Sequence, residues 1–179
     1  MSDRKSLKIG LIGTGFMGQA HALGYATAEK VFDLPYGLTL RTVADVTEEA
    51  AAKAAKRFGF DSWTTDWRDL LNDPEIDVID ITAPNALHKE MALAAIAAGK
   101  HVYCEKPLAP LSADAREMAA AAKAAGVVTQ VGFNYLCNPM MGLAKPDPKV
   151  FRMVVNDLDV PAGEVLFLDD NRTNVNAAA

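Results

Sequence analysis

Leu7-Lys8-Ile9-Gly10-Leu11-Ile12-Gly13-Thr14-Gly15-Phe16-Met17-Gly18 decides the reading of this chain. The first half is an apolar, branched run of strand length. The second half is G-x-G-x-x-G, leading into an Ala-rich helical pattern over residues 17–32. A glycine triplet alone is a weak signal, since glycine is common in turns. At the joint of a strand and a helix, however, each glycine has a mechanical reason. The first permits the tight turn, the second lets backbone approach a pyrophosphate, and the third lets helix and strand pack closely. The helix start adds unpaired N–H groups and positive potential for an anion. The stretch points to a bound dinucleotide; a glycine-rich turn without a ligand is the competing reading.

Outward from there, short β-rich runs alternate with helical patterns. Residues 38–44 read as a second strand, and Thr47 as the cap of a helix to about 58. Residues 61–65 suit a short edge strand and 67–71 a short helix. Residues 77–82 form a buried strand, and 87–98 a helix stopped at Gly99. Residues 101–104 are strand, 112–125 helix closed by Gly126, and 127–132 strand. Strands separated by helices are the pattern of βαβ units and a parallel sheet. The expected fold class is α/β: a Rossmann-type, three-layer parallel sheet with an appended helix–strand–helix piece.

Composition bounds the rest. The chain has 179 residues, which leaves room for one domain of ordinary size and not two. With 18 Lys+Arg against 23 Asp+Glu, it is not built as a general nucleic-acid binder. No apolar run approaches a membrane span, and the start lacks the apolar core of a signal peptide. Cys104 and Cys137 have no metal-type spacing, so a reduced, cytoplasmic setting is expected and no metal site.

An acidic residue should follow the second strand to grip the adenosine ribose, and Asp45 stands there. Residues 32–37 absorb its extra distance from Gly18. A carboxylate in that place accepts from both ribose hydroxyls and repels a 2′-phosphate, which favours NAD over NADP. A strand-end aspartate facing solvent, or a helix cap, is the alternative.

Further motifs then carry a resemblance. Thr82-Ala83-Pro84-Asn85 with His88, then Gly99-Lys100-His101-Val102-Tyr103-Cys104-Glu105-Lys106-Pro107-Leu108, then Gly132-Phe133-Asn134-Tyr135 stand in order along the chain. Together with the glycine motif they closely resemble the Gfo/Idh/MocA family of NAD(P)-dependent sugar and polyol oxidoreductases, over about residues 6–144. The resemblance implies cofactor contacts from Gly13, Thr14, Gly15, Phe16, Met17, Asp45, Thr82, Pro84, Asn85, His88, Glu105, Lys106 and Asn134. It implies that Glu105 helps hold the nicotinamide ribose. Lys106 is the implied catalytic residue, its ammonium reaching the substrate oxygen during hydride transfer. Read without the family, His88 is more often a cap or packing residue of the following helix, and Tyr135 is as readily core.

The family also places its substrate pocket and a proton-transferring residue, usually a histidine, on a second domain. Neither His21, His88 nor His101 matches that residue by motif. Lys145-Pro146-Asp147-Pro148 breaks the pattern of the preceding domain, and residues 164–168 read as a new strand ending in Asp169-Asp170. Residues 142–179 resemble the C-terminal part of haloacid dehalogenase-like hydrolases, with Lys145 at the charge-balancing lysine. The strand-borne D-x-D nucleophile of that family is absent from a suitable place.

The expected organisation is therefore a dinucleotide domain over 1–141 joined to a foreign fragment over 142–179, a chimera. The expected function is NAD binding by the nucleotide half of a sugar or polyol oxidoreductase, with little or no turnover. A non-enzymatic α/β scaffold is the alternative, and a hydrolase the third. The face that a substrate domain would cover is expected to favour self-association.

Overall fold

The computed structural model describes residues 5–133. The lead strand is β1 (Ser6–Ile12), followed by α1 (Phe16–Val31), β2 (Gly37–Ala44) and α2 (Glu48–Phe58). Next come β3 (Ser62–Thr64), α3 (Arg68–Asn72), β4 (Val78–Ile81), a 3-10 turn (Asn85–Leu87) and α4 (His88–Ala97). The series closes with β5 (His101–Cys104), α5 (Ser112–Ala125) and β6 (Thr129–Val131).

Local chemistry sets these boundaries. Thr47 caps α2, its Oγ1 accepting the Ala50 N–H at 3.3 Å. Glu48 and Glu49 in the first turn and Lys56 and Arg57 in the last complement the helix dipole. Gly59, at φ +83°, ends that helix in the left-handed region, as Gly126 does for α5 at φ +68°. The fourth helix starts at His88 because residues 85–87 take a tighter turn first, with the Leu87 N–H on the Pro84 carbonyl at 2.9 Å.

The six strands lie in the order β3-β2-β1-β4-β5-β6, and every neighbouring pair is parallel. The chain thus grows one way from β1 through β2 to the edge strand β3, then reverses across β1 to β4. That reversal between β1 and β4 is the topological switch point, where the loops at the strand ends diverge and leave a crevice.

Strand side chains alternate between two cores. Ile9, Leu11, Leu40 and Val43 pack with Ala22 of α1 and with Ala54 and Ala55 of α2. Ile79, Ile81, Val102 and Cys104 pack with Met91, Ala95 and Ile96 of α4 and with Met118 and Ala122 of α5. Helices therefore cover both faces and complete the three-layer Rossmann arrangement. Among the described residues no helix is long and apolar enough to cross a membrane. The domain boundary expected at residue 141 and the fragment expected over 142–179, with Lys145, Asp169 and Asp170, lie outside the described residues.

Candidate functional site

The carboxyl ends of β1, β2, β4 and β5 bring most of the expected site residues to one edge of the sheet. Gly13 sits directly after β1 at φ +96°, and its N–H donates to the Ala44 carbonyl at 2.8 Å. Gly18 lies against that turn so tightly that a Cβ would run into the Gly13 carbonyl oxygen. Gly15 differs: a Cβ there would meet nothing within 4 Å. Packing within the chain therefore requires Gly18 and the turn requires Gly13, whereas Gly15 leaves open space beside the backbone. The α1 N-terminus beside it has no side-chain cap and no acidic residue in its first turn. Unpaired N–H donors facing an open cradle suit a phosphate group. Phe16, 85% exposed, and the partly exposed Met17 follow on the same turn.

Asp45 follows directly after β2 and turns onto this loop. Its Oδ2 accepts the Thr14 N–H at 2.7 Å and the Thr14 hydroxyl at 2.5 Å, and its Oδ1 accepts the Val46 N–H at 2.7 Å. Beside it opens a cleft of ≈ 360 Å³ lined by Thr14, Gln19 and Thr47 and by Lys53 and Arg57 of α2. Arg57 donates to Gln19 Oε1 across the cleft at 3.0 Å.

After β4, Thr82 faces inward. Its hydroxyl lies 2.9 Å from both the Ile12 and Gly13 carbonyl oxygens, which ties β4 to the glycine turn. Pro84 and Asn85 are exposed in the loop after β4. His88 is fully buried, with Nδ1 2.9 Å from the Pro107 carbonyl and Nε2 2.8 Å from the Ala83 carbonyl. For His88, expected among the cofactor contacts, this geometry shows a structural part. The ring has neither an exposed edge nor a free nitrogen, and it holds the loops after β4 and β5 together.

Glu105, next after β5, is 4% exposed. Its Oε2 accepts the Lys106 N–H at 3.1 Å, and its Oε1 lies against Gly132, where a Cβ would collide with it. The Lys106 side chain is exposed, and its peptide bond to Pro107 is cis. Asn134 and Tyr135 lie outside the described residues.

Beneath these loops is a polar cluster that the sequence reading did not assemble. Asp80, in the middle of β4, is fully buried on the α1 face. It accepts the Tyr25 hydroxyl at 2.9 Å, and its two oxygens lie 2.9 and 3.1 Å from His21 Nδ1. His21 Nε2 is 3.2 Å from Glu105 Oε1. Two signals were there to be read: an aspartate inside the apolar run Val78-Ile79-Asp80-Ile81, and a histidine and tyrosine four apart on one helix. Burial works against charge on the His21 ring, but the Asp80 and Glu105 carboxylates outweigh it and raise its pKa. Burial likewise pushes the Asp80 carboxyl up, against the hydrogen bonds of His21 and Tyr25.

A family model described as an oxidoreductase family with an NAD-binding Rossmann fold matches residues 7–133. Levoglucosan dehydrogenase of Pseudarthrobacter phenanthrenivorans is 48% identical over 142 residues, covering 79% of this chain and 36% of that protein. Inositol 2-dehydrogenase of Salmonella typhimurium is 33% identical over 130 residues, 72% of this chain and 37% of that protein. Among solved structures, levoglucosan dehydrogenase in complex with NADH and levoglucosan superposes with a TM-score of 0.71 at 47% identity, covering 73% of this chain and 36% of that one. An oxidoreductase domain protein from Kribbella flavida gives 0.73 at 39% identity, covering 88% and 41%. The chain thus spans a little over a third of the length of the relatives it matches.

Proposed function

Because the chain belongs to the Gfo/Idh/MocA oxidoreductase family, in its NAD-binding Rossmann domain, we propose that it works as the nucleotide-binding half of a sugar or polyol dehydrogenase. The observation that carries this reading is the open cradle at Gly15, flanked by the uncapped α1 N-terminus and by the Asp45 carboxylate. In it the α1 N-terminus and the backbone of residues 13–17 hold the pyrophosphate. Asp45 takes the adenosine ribose and disfavours a 2′-phosphate. Thr82, Pro84 and Asn85 form the wall at the switch point, and Glu105 takes the nicotinamide ribose. NAD supplies the hydride acceptor when bound. Lys106, exposed at the crevice, carries the positive charge that steadies a substrate oxygen.

Turnover by these residues alone should be low, because hydride transfer also needs a positioned proton acceptor. None of the three histidines of the chain serves. His21 is bonded between two carboxylates, and His88 between two carbonyls. His101 starts β5 at the far end of the sheet and takes the Val128 N–H on Nδ1. In the same proposal, residues 1–141 are the nucleotide domain and 142–179 a haloacid dehalogenase-like fragment. Magnesium-dependent release of phosphate from p-nitrophenyl phosphate should be absent.

Calorimetric titration with NAD⁺, NADH and NADP⁺ tests the proposal. Saturable binding of NAD⁺ and NADH, with NADP⁺ weaker, is expected. Undetectable binding at about 1 mM NADH, a free energy weaker than about −4 kcal/mol, overturns it in favour of a scaffold without a ligand.

A further inference from the structure

The buried cluster beneath the crevice links two loops that the nucleotide reading uses separately. His21 lies on α1, the helix whose start forms the glycine loop. Glu105 lies on the loop after β5, at the other side of the switch point. Between them the imidazole is bonded at both nitrogens, to Asp80 at 2.9 Å and to Glu105 at 3.2 Å. An ionised carboxylate only accepts, so the ring serves both neighbours at once only when both nitrogens carry a proton. Stacking fixes the ring plane: the Tyr103 ring lies 5.0 Å away at 13°. Glu105 in turn has little freedom, with Gly132 pressed against Oε1 and the Lys106 N–H on Oε2.

Resting on the nucleotide reading above, we infer that His21 is a positioning residue of that site. As an imidazolium it joins α1 to the Glu105-Lys106 loop and sets the Glu105 carboxylate in the orientation the bound nucleotide meets. The groups facing the ring are Asp80 from β4, Tyr103 from β5, Glu105 after it, and Tyr25 from its own helix. Tyr25 stays a neutral donor, because burial and the Asp80 charge drive its pKa upward. The Cys104 thiol, which packs on the other face of β5, feels the same two carboxylates and stays protonated. Loss of the imidazolium proton leaves two nearly buried carboxylates facing one another without a cation between them. Like charges so placed repel, and the Glu105 carboxylate is pushed from its place beside the ring. The raised pKa of His21 agrees with this arrangement.

The test is NADH titration of the full chain between about pH 6 and pH 9, for wild type, His21→Gln and Glu105→Gln, with the His21 ring followed by NMR in the absence of nucleotide. Wild-type affinity should fall by roughly tenfold as His21 loses its proton, and His21→Gln should bind weakly with a flat pH profile. A residue that only supports the fold would lower the melting temperature and leave the pH slope in place. In Glu105→Gln, which keeps the side-chain shape should His21→Gln fail to fold, the His21 midpoint should drop toward its ordinary value. Unchanged affinity and slope in His21→Gln, or a His21 midpoint indifferent to Glu105→Gln, overturns the inference while leaving the nucleotide reading intact. Absence of NADH binding by wild type at every pH overturns the nucleotide reading, and the positioning role with it.

Discussion

The Asp45 carboxylate closes on Thr14, holding both its N–H, at 2.7 Å, and its hydroxyl, at 2.5 Å, on the single oxygen Oδ2. The end of β2 is thereby bonded to the glycine loop after β1. An ionised carboxylate offers about four acceptor positions, and three here are taken by Thr14 and Val46. A ribose at this place would use the remaining position and displace the Thr14 hydroxyl, the partner most easily turned away. Replacing Asp45 with alanine should therefore remove the ribose acceptor and loosen the loop together. Hydrogen bonds to charged groups contribute about 1.5–3 kcal/mol, so NADH affinity should fall roughly 10- to 100-fold by calorimetry. A change below about twofold would remove Asp45 from the nucleotide site.

Gly18 offers a separate test of the loop, one that needs no ligand. A methyl group there would collide with the Gly13 carbonyl oxygen and come within 2.9 Å of Thr82 Oγ1. Backbone cannot yield as a flexible side chain can, so Gly18→Ala should cost about 1–3 kcal/mol of stability in urea unfolding. Gly15→Ala, by contrast, meets open space and should leave stability near wild type while reducing NADH affinity. The pair separates packing from binding: equal losses of stability in both variants would contradict the assignment.

How much of this could be read in the sequence varies residue by residue. The glycine loop was legible because its motif straddles a strand–helix joint, and Thr47 because a cap acts on its own helix. Asp45 was legible as a strand-end acid, but its hold on Thr14 joins residues 31 apart and depends on β1 and β2 lying side by side. The His21–Asp80–Glu105 cluster depends on three elements, with α1 packed over β4 and β5 in a fixed register. Periodicity gives the face of a helix but not the strand beneath it. His88 differs again. Its motif pointed to the ligand crevice, yet a side chain can lie beside a crevice and face the core, and only the packing tells which.

Cys104 provides a check on the core next to this cluster. It is 1% exposed at the end of β5, and burial pushes its thiol up to about 12, with the Asp80 and Glu105 charges acting in the same direction. The thiolate is the reactive form, so native protein should leave Cys104 unmodified by iodoacetamide near pH 8. The measurement is mass spectrometry of a Cys137→Ser variant, in which Cys104 is the one cysteine left. Full labelling on addition of urea is the positive control, and rapid labelling without denaturant would show that the β5 end opens.

The cluster also sets the direction of pH dependence in folding. The folded pKa of His21 lies above the unfolded value of 6.5. A folded state that holds the proton more tightly gains from it wherever the unfolded chain is protonated too, below about 6.5, and loses the gain as pH rises through the folded value. The raised Asp80 carboxyl has the same sign, since the folded chain holds that proton more tightly as well. Unfolding free energy should therefore decline from mildly acidic toward alkaline conditions, with the His21 part starting near its ordinary pKa. Each unit by which the folded His21 value is raised corresponds to about 1.4 kcal/mol, so urea titrations at a series of pH values convert the decline into a shift. In His21→Gln the decline that starts near pH 6.5 should disappear, because the variant keeps a hydrogen-bonding side chain but has no proton to lose there. A His21→Gln profile parallel to wild type across that window would place the titrating group elsewhere and leave the imidazole bound to its carboxylates without charge.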